Sequence, residues 1–527
     1  LLFSCARVGA PNGGTRDSLA PKFLGSNIDT TRLNVSRTVK ELRLDFDEYV
    51  MLKDFNKNFN VSPPIKKIKK VIPSNLANKY VLIQWEDTLQ ANTTYNFNFG
   101  NAIVDNNESN PLPYFNFAFS TGDKIDDLFV SGTVKDAMTL IKENQTAKDN
   151  KMVVGLYKAG ENLDYKQKPD YITKVDEENY FELNFLPKGE FVIIAFDDEN
   201  QNSVYDAGKE KVSFLKEKIT LDSTSVRGLK LKLYPSKKVV KYKESKAING
   251  GLLMTFEGNP ETVEVKSLSE ELKDFKVTHA KRSDSVNIWF DAEKSNLGGT
   301  VSKQVKLSYF TPTISDTISV SYKAVKEEFK LSNEAGNLIA PENNFVINTS
   351  LPIENLNTSS WKLESDSIAQ DFTAKISEKN PFKILVNSSF KPTKKYVLTI
   401  PKETVSSYYS SNDKSFQFQF EIDKPENYGS FTAVIKNKPT AKFWVELTNE
   451  KGEILYSQFT NASEVSFKNL KPATYIARIR VDNNGNGFWD EADFAQNIAA
   501  EDVYIFEKEI NVRPLWEIKE DWELTNR

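Results

Sequence analysis

The sequence is poor in the residues that support redox, nucleophilic and metal chemistry. Its 527 residues include one cysteine, Cys5, and one histidine, His279. A single cysteine cannot form an internal disulfide, and a cysteine-based zinc site needs several thiolates. A single histidine argues against a Ser-His-Asp triad or a histidine-rich metal site. We interpret His279, which follows a strand-like run, as a surface or half-buried polar contact.

The sequence also lacks a charge excess and a long apolar run. The net charge is −4, with 69 basic and 73 acidic residues interspersed. This balance excludes the basic face that nucleic acids require, so we predict no nucleic-acid partner. No stretch approaches the roughly 18 apolar residues of a membrane-spanning helix. The basic run Lys66–Lys70 is typical of an edge strand or solvated loop, with a patch for lipid headgroups as the lesser alternative.

Aromatic residues are abundant, with 35 Phe and 20 Tyr, which favours strands over helices. Apolar and polar residues alternate along many short runs bounded by Asn, Asp, Gly or Pro. Four such runs are Leu42–Phe46, Val81–Trp85, Tyr95–Phe99 and Phe115–Phe119. Alternation of this kind buries one face of each strand, and no segment sustains a helical period. The sequence therefore predicts an all-β fold built from β-sandwiches, with little helix.

Two internal repeats organise the chain. Leu186–Asp206 recurs as Leu470–Asp490, offset by 284 residues (470 − 186), and each copy predicts a turn, a strand and an Asx-rich loop. A second repeat pairs Tyr95 with Tyr396 at an offset of 301 (396 − 95), and Phe115–Phe119 recurs with the same offset. Repeated units of this size indicate repeated domains, which here follow the order A-B-C-A′-B′.

The N-terminus carries a recognisable pattern. Leu2-Phe3-Ser4-Cys5 ends a short apolar run, and Cys5-Ala6-x-x-Gly9-x-Pro11-x-Gly13-Gly14-x-x-Asp17 follows. This pattern resembles the lipobox and mature start of Bacteroidota outer-membrane lipoproteins with an N-terminal bacterial Ig-like domain. Phe46-Asp-Glu-Tyr-Val50, Ser62-Pro-Pro64 and Phe119-Ser-Thr-Gly122 resemble further elements of that domain. The resemblance implies a lipid attached to Cys5, preceded by the remnant of a signal peptide.

The repeated turn carries a second resemblance. Leu186-Pro-Lys-Gly-Glu-Phe191 and the strand after it resemble transthyretin-like or carboxypeptidase-regulatory-like β-sandwiches, in which an L-P-x-G-x-Y turn precedes a strand. The predicted organisation is then a signal-peptide remnant, lipobox and linker (1–19), an Ig-like domain (20–122), a transthyretin-like sandwich with an Asx loop (123–235), a β-sandwich (236–324), a second Ig-like domain (325–425) and a second transthyretin-like sandwich with an Asx loop (426–527).

The Asx loops are the best candidates for a binding site. The pattern D-x-N-x-N-x-x-x-D places oxygens at positions 1, 3, 5 and 9, as in the first part of a calcium loop. The candidate ligands are Asp198, Asn200, Asn202 and Asp206 in the first loop, and Asp482, Asn484, Asn486, Asp490 and (at position 12) Asp493 in the second. Such a site would bind calcium weakly, with a dissociation constant on the order of 10⁻⁴–10⁻³ M. The alternative is a rigid turn in which Asn and Asp accept hydrogen bonds from their own backbone amides.

No pattern selects catalytic residues, so we predict that the protein is not an enzyme. Trp489, in the second Asx loop, is predicted to be exposed and is the best candidate for a contact residue, with the alternative that it covers the underside of its own loop. By resemblance, the chain is expected to be a lipid-anchored outer-membrane protein that serves as a subunit of a barrel-assembly or nutrient-uptake machine. Its partners would be membrane lipid and a β-barrel or other envelope protein. The cell surface is the expected orientation, with a periplasmic orientation as the alternative.

Two other functions are weighed against this one. A stand-alone glycan-binding protein or adhesin would present a concave site with aromatic side chains. A carboxylate-based glycoside hydrolase would present a cleft with paired acids of perturbed pKa.

Overall fold

The computed structural model describes residues 18–140, 151–160, 164–334 and 336–524. Within these ranges the regular structure is almost entirely β, with one four-residue helix, α1 (Phe55–Asn58), and two short 3₁₀ turns (Thr358–Ser360 and Pro425–Asn427). The predicted all-β fold class is confirmed. No helix in the described part of the chain has the length and apolar character needed to cross a membrane.

The chain forms two compact units. The first unit contains the chain through Ser236 together with the segment Glu491–Ala500. The second contains Lys237–Asp490 and the chain from Glu501 onward. The short segment Glu491–Ala500 therefore belongs to the first unit, although its neighbours in sequence belong to the second.

The first unit begins with a two-sheet sandwich. Its strands are β1 (Phe23–Ser26), β2 (Glu41–Leu52), β3 (Asn60–Ser62), β4 (Ile68–Ile72), β5 (Asn78–Trp85), β6 (Thr94–Gly100), β7 (Ile103–Asp105) and β8 (Phe115–Ser120). One sheet has the order β1-β2-β5-β4, with β7 also pairing with β2, and the other has the order β3-β6-β8. Alternate residues of the long strands, such as Phe46, Ile83, Phe97 and Phe119, fill the core. The four strands predicted above from alternation are confirmed.

The predicted edge position of the basic run is also confirmed. β4 is the edge strand of its sheet, and Lys69 and Lys70 are exposed on it. Lys67 forms a 2.5 Å ion pair with Glu86. Charged side chains on an edge strand discourage pairing with other chains.

The second sandwich completes the sheets of the first unit. Its strands are β9 (Leu128–Asp136), β10 (Met152–Lys158), β11 (Tyr171–Lys174), β12 (Tyr180–Leu186), β13 (Gly189–Asp197), β14 (Val212–Phe214), β15 (Ile219–Leu221) and β16 (Val226–Leu233). The orders are β11-β10-β13-β14, with β15 on β13, and β12-β9-β16. β16 runs parallel to β9 so closely that a Cβ on Gly132 would lie 2.2 Å from the carbonyl oxygen of Leu229. Only glycine fits there.

The second unit begins with a third sandwich. Its strands are β17 (Lys241–Ile248), β18 (Gly251–Glu257), β19 (Glu264–Ser267), β20 (Lys276–His279), β21 (Ser285–Trp289), β22 (Lys303–Phe310) and β23 (Ser315–Tyr322). The sheets have the orders β17-β18-β21-β20 and β19-β22-β23. His279 ends β20 half-buried, with Nε2 3.0 Å from the carbonyl oxygen of Ser283, as expected for a polar contact.

A fourth sandwich follows. Its strands are β24 (Leu331–Asn333), β25 (Leu338–Ile339), β26 (Phe345–Thr349), β27 (Asn355–Leu356), β28 (Lys362–Ser365), β29 (Ile368–Ala369), β30 (Phe372–Ser377), β31 (Asn380–Ser388), β32 (Lys395–Ile400), β33 (Val405–Ser406) and β34 (Phe416–Ile422). The main sheets have the orders β24-β26-β31-β30 and β25-β34-β32-β28-β29, and β27 pairs with β33.

The fourth sandwich repeats the register of the first. Tyr95 lies opposite Phe119 in the β6–β8 pair, and Tyr396 lies opposite Phe420 in the β32–β34 pair. The Tyr95 hydroxyl accepts the amide of Gln90 at 2.8 Å, and the Tyr396 hydroxyl accepts the amide of Lys391 at 2.8 Å. All these positions keep the 301-residue offset, so the sequence repeat extends to individual hydrogen bonds.

The fifth sandwich ends the chain. Its strands are β35 (Gly429–Lys436), β36 (Phe443–Thr448), β37 (Ile454–Thr460), β38 (Glu464–Leu470), β39 (Ala473–Val481), β40 (Val503–Ile505), β41 (Ile510–Val512) and β42 (Glu517–Glu523). The sheets have the orders β37-β36-β39-β40, with β41 on β39, and β38-β35-β42. The topology matches that of the second sandwich, including a last strand parallel to the first.

The two related sandwiches differ on the outer face of the sheet that contains β13 or β39. In the second sandwich this face is apolar, with Ile194 and Phe196 buried, and Phe494 of the segment Glu491–Ala500 packs on it. At the positions 284 residues later, the fifth sandwich has Arg478 and Arg480. Both arginines donate to Glu446, whose side chain is fully buried.

Candidate functional site

Each Asx loop begins where a long central strand ends. β13 ends at Asp197 and β39 ends at Val481, and the next residue in each case is the first Asp of the motif. Both of these residues, Asp198 and Asp482, are 3% exposed. The repeat therefore places a buried carboxylate at the root of each loop.

In the first loop this carboxylate accepts hydrogen bonds from the backbone. Asp198 Oδ1 accepts the amide of Asn202 and Oδ2 accepts the amide of Ser203, both at 3.0 Å. The Asn200 side chain accepts the Asn202 amide at 3.0 Å and donates from Nδ2 to Asp206 at 2.6 Å. Asn202 accepts the amide of Val204. The structure thus brings the four predicted residues together.

The second loop reproduces these contacts. Asp482 accepts the amides of Asn486 and Gly487, each at 3.0 Å. Asn484 and Asn486 both donate from Nδ2 to Asp490 Oδ2, at 2.5 and 2.8 Å. Gly487 has a φ of +82°, a left-handed conformation that its counterpart in the first loop, Ser203, also adopts (φ +62°).

Asp490 has an ionic contact in addition to the hydrogen bonds from the loop asparagines. Arg282 Nη1 donates to Asp490 Oδ1 at 2.7 Å, and the Arg282 guanidinium lies 4.6 Å from the centre of the Phe488 ring. Although burial opposes it, hydrogen bonds from Asn484 and Asn486 and the charge of Arg282 lower the pKa of Asp490 below its usual value.

Sequence reasoning missed one carboxylate in each loop. Glu210 accepts the amides of Glu199 (3.0 Å) and Asp206 (2.9 Å), and it is 3% exposed. Glu501 accepts the amides of Asn484 (3.1 Å) and Asp490 (2.9 Å), and it is 6% exposed. Each glutamate therefore closes its loop by holding two backbone amides.

The missed residues do not share the repeat offset. Glu501 follows Glu210 by 291 residues (501 − 210), seven more than the 284 of the repeat, because the second copy has a longer segment between Asp490 and the glutamate. The sequence signal for Glu210 was its position four residues after Asp206. The insertion moves Glu501, its counterpart, out of the matching position.

Burial raises the pKa of both glutamates. Desolvation raises the pKa of Glu210 to about 7, against the opposing hydrogen bonds from Asp206 and Glu199, and the charge of Asp198 adds to the rise. Burial likewise raises the pKa of Glu501. These acids hold a proton more readily than exposed glutamates because their charge is removed from water.

The loops supply only oxygen donors, the type that calcium prefers. Asp198 and Asp482 accept backbone amides. Asp206 and Asp490 instead accept side-chain amides of the loop asparagines. Among the described residues, no group of three or more His, Cys, Asp or Glu side chains is arranged to hold a metal. Calcium binding by the residues predicted for the two loops stays a prediction.

Asp493 does not join the hydrogen-bond network of the second loop. It belongs to the first compact unit, where its carboxylate accepts the amide of Gln496 at 3.1 Å and its backbone pairs with Ile498. The carboxylate that closes the second loop is Glu501 instead.

Trp489 is half-buried, not exposed as expected. Its indole Nε1 donates to the carbonyl oxygen of Glu501 at 3.1 Å, and the Arg480 guanidinium lies 5.8 Å from its ring. Both contacts favour the alternative interpretation, in which Trp489 covers the underside of its own loop. Cys5, the predicted lipid-attachment residue, lies outside the described residues.

A cleft of about 440 Å³ lies in the second unit, between the fourth and fifth sandwiches. Its lining combines aromatic, amide and basic side chains, among them Tyr428, Tyr456, Asn343, Gln458 and Lys468. Sequence analysis did not find this cleft, because its residues come from distant parts of the chain.

Comparison with known proteins identifies one part of the chain. The sequence profile of the bacterial Ig-like domain family matches residues 17–121, which confirms the Ig-like domain predicted for the first sandwich. No curated protein sequence matches the chain significantly.

Similar solved structures are distant. The S-layer protein rSbsC(31-844) has 12% identity and a TM-score of 0.15, with 94% of this chain and 67% of that chain covered. The Bacteroides ovatus mixed-linkage glucan utilization locus protein SGBP-B, in complex with a mixed-linkage heptasaccharide, has 9% identity and a TM-score of 0.18, with 74% and 94% covered. The Bacillus cereus major pilin subunit BcpA has 10% identity and a TM-score of 0.14, with 76% and 99% covered. At these scores we infer no ligand or role from them.

Proposed function

We propose that the chain is a non-enzymatic, lipid-anchored β-sandwich protein that serves as a structural or interaction subunit of an outer-membrane protein complex, such as a barrel-assembly or nutrient-uptake machine. The lipid is attached to Cys5, and the partner is a β-barrel or other envelope protein. The motif that begins at Cys5 and the bacterial Ig-like match that follows it support this address. Surface exposure is the favoured orientation, and a periplasmic orientation is the alternative.

The observation that carries the non-enzymatic part is the use of the buried acids. Glu210 and Glu501 each hold two backbone amides, and Asp105 accepts the amides of four successive residues, from Asn107 to Asn110. A general acid or base must instead reach a substrate proton. These carboxylates stabilise loops, which suits a scaffold that presents surfaces.

Purification from the native outer membrane in mild detergent tests the proposal. We expect the tagged chain to recover a β-barrel or other envelope protein in stoichiometric amount, identified by mass spectrometry. The matched control is Cys5→Ala, which should no longer be found in the membrane fraction. Recovery of the wild-type chain alone would contradict the role as a complex subunit, and membrane retention of Cys5→Ala would contradict the lipid anchor.

The cleft favours a second candidate function, glycan binding. Aromatic and amide side chains are typical of sugar sites, and Tyr456 lines the cleft together with Asn343 and Gln458. Binding of neutral and acidic hexasaccharides, measured by calorimetry, tests this function. Saturable binding that Tyr456→Ala abolishes and Tyr114→Ala preserves would support it, since Tyr114 is 70% exposed and outside the cleft. Absence of binding to every probe would reject it.

A further inference from the structure

A basic turn of the third sandwich contacts the second Asx loop, which belongs to the fifth sandwich. The turn joins β20 to β21 and contains Lys281 and Arg282. Arg282 Nη1 donates to Asp490 Oδ1 at 2.7 Å, although the two residues are 208 positions apart in the sequence. Their side chains are only 22% and 26% exposed. Both residues belong to the second compact unit, so the contact joins two domains within that unit.

The third sandwich holds Arg282 in place on its own side of the contact. Arg282 Nε donates to Glu261 Oε1 at 2.5 Å, and the Arg282 amide donates to the carbonyl oxygen of Pro260 at 3.2 Å. The ring of His279 contacts the carbonyl oxygen of Ser283, the next residue of the turn, at 3.0 Å. The guanidinium is therefore positioned before it meets the loop, which reduces the entropy lost in forming the contact.

The second loop contributes an aromatic ring in addition to its carboxylate. The Arg282 guanidinium carbon lies 4.6 Å from the centre of the Phe488 ring, and Lys281 Nζ lies 5.1 Å from it. Phe488 is half-buried. The ring attracts both cations, and partial removal from water strengthens the ion pair beside it. The loop thus offers two kinds of contact to the basic turn.

The first Asx loop has neither kind of contact. Val204 takes the place of Phe488 (488 − 284), and Asp206 takes the place of Asp490. Asp206 accepts the Asn200 side chain at 2.6 Å, and among the described residues it forms no ion pair. The two loops nevertheless share their backbone hydrogen bonds. The ring and the ion pair of the second loop are therefore not needed to form the loop, and they serve its contact with the third sandwich.

We propose that Glu261, Arg282, Phe488 and Asp490 form an ionic lock, which holds the third and fifth sandwiches together although the fourth separates them in sequence. Because the lock depends on charge, salt weakens it. When it opens, the basic turn and the second Asx loop lose their mutual protection, while both sandwiches stay folded. The inference does not rest on the function proposed above.

Hydrogen exchange on the full chain tests the lock from both sides. Arg282→Met removes the charge from the third sandwich and should speed amide exchange in the second loop, residues 482–490, roughly tenfold or more. Phe488→Ala removes the ring from the fifth sandwich and should speed exchange in the turn, residues 280–285, by a similar factor. An effect on the opposite sandwich in both directions is the signature of a lock, because a residue that fixes only its own segment would not produce it.

The matched control is Arg43→Met. Arg43 likewise contacts a carboxylate, Asp45 at 2.8 Å, and an aromatic ring, Tyr80 at 4.2 Å, but all three residues lie in the first sandwich. The substitution should leave exchange unchanged in both the turn and the second loop.

Salt distinguishes the charge contact from simple packing. A rise from about 0.1 M to about 1 M shortens the screening length from about 10 Å to about 3 Å. We expect exchange in the second loop of the wild-type chain to increase at least about twofold, and exchange in the same loop of Arg282→Met to change less. The first loop, residues 198–206, is the internal reference because its Asp206 has no arginine partner.

Three results would overturn the proposal. One is faster exchange confined to the turn in Arg282→Met, since the arginine would then stabilise only its own sandwich. The second is unchanged exchange in the turn of Phe488→Ala, and the third is an equal salt response of the second loop with and without Arg282. Exchange in β18 and β22 reports whether the third sandwich stays folded. If Arg282→Met disturbs those strands, Lys281→Met replaces it, and absence of faster exchange in the second loop of that variant would also overturn the proposal.

Discussion

At the scale of single residues, the buried glutamates are the most informative side chains. Glu210 accepts two amides and yet titrates near neutral pH, because removal of its charge from water outweighs the hydrogen bonds. Its folded-state pKa of about 7 lies above the ordinary value of 4.5. Between these values the folded chain holds a proton that the unfolded chain has released, so stability from this group falls as pH rises.

The variant Glu210→Gln tests this linkage. The free energy of unfolding of wild type relative to Glu210→Gln should decrease by up to about 3 kcal/mol between pH 4.5 and pH 8, because the buried charge appears only in wild type. Urea unfolding at several pH values measures the difference. Glu217→Gln, at an exposed position nearby, is the matched control. A flat profile for Glu210→Gln would show that the carboxylate ionises normally.

The paired tyrosines make a second prediction at this scale. Tyr95→Phe leaves the Gln90 amide without its acceptor, and Tyr396→Phe does the same to Lys391. Each substitution should cost about 1–2 kcal/mol of unfolding free energy, measured by chemical denaturation. Tyr114→Phe, at a 70% exposed position, should cost nearly nothing. Clearly unequal costs for Tyr95 and Tyr396 would argue against equivalent hydrogen bonds.

At the scale of elements, related sheets have acquired different outer faces. Glu446 is 0% exposed and accepts both Arg478 and Arg480, at distances between 2.5 and 3.0 Å. In the fifth sandwich Glu446 lies opposite Arg478 on the neighbouring strand. The equivalent cross-strand pair of the second sandwich is Gly155 and Ile194. A buried ion cluster thus occupies positions that the related sheet fills with small and apolar residues.

Breaking that cluster should be costly. Glu446→Gln leaves Arg478 buried without its anionic partner, and we expect a loss of about 3–5 kcal/mol in unfolding free energy. Asp366→Asn, which breaks the exposed 2.8 Å pair with Lys394, should lose less than about 1 kcal/mol. Denaturant titration of the three proteins gives the comparison, and similar losses for the two variants would refute the argument.

The Asx loops make a prediction about cations. If the loops are rigid turns held by their own hydrogen bonds, calcium and magnesium should have the same effect on stability. Calcium sites with dissociation constants of about 1 mM would instead add about 1.4 kcal/mol each at about 10 mM calcium. Thermal unfolding in calcium, magnesium and chelator distinguishes these cases, and a stabilisation specific to calcium would establish the calcium interpretation.

At the scale of the whole molecule, position in sequence does not determine the unit to which a residue belongs. Phe494 lies near the end of the chain but packs in the first unit, with ring centroids 4.4 Å from Tyr165 and 5.2 Å from Phe214. The insertion that separates Asp490 from Glu501 is thus the source of an apolar cover for strands β10 and β13.

Phe494→Ala should therefore destabilise the first unit. Loss of a buried phenylalanine costs about 3–5 kcal/mol, and the loss should appear as faster hydrogen exchange in β10 and β13. Exchange in β18 and β22, in the core of the third sandwich, serves as the internal reference and should not change. Uniform acceleration throughout the chain would mean that the two compact units do not open separately.

Much of the fold was predictable because its signals are local. Alternation identified strands such as Leu42–Phe46, and the repeat located both Asx loops. Glu501 was not predictable in the same way, since an insertion moves it out of register with Glu210. The cleft was also missed, because Asn343 and Tyr456 approach each other only through packing between sandwiches. Local patterns encode elements, whereas sites that depend on tertiary contacts need the structure.

The glutamate closure of the Asx loops has a practical consequence for engineering. A glutamate accepts two loop amides in both copies, although Glu210 follows Asp206 by four positions and Glu501 follows Asp490 by eleven. The glutamate fixes the loop through these two amides, so the number of residues between the aspartate and the glutamate can differ. A peptide epitope grafted between Asp206 and Glu210 would thus be displayed from an intact scaffold, at a position where the chain itself already carries a longer segment in its second copy.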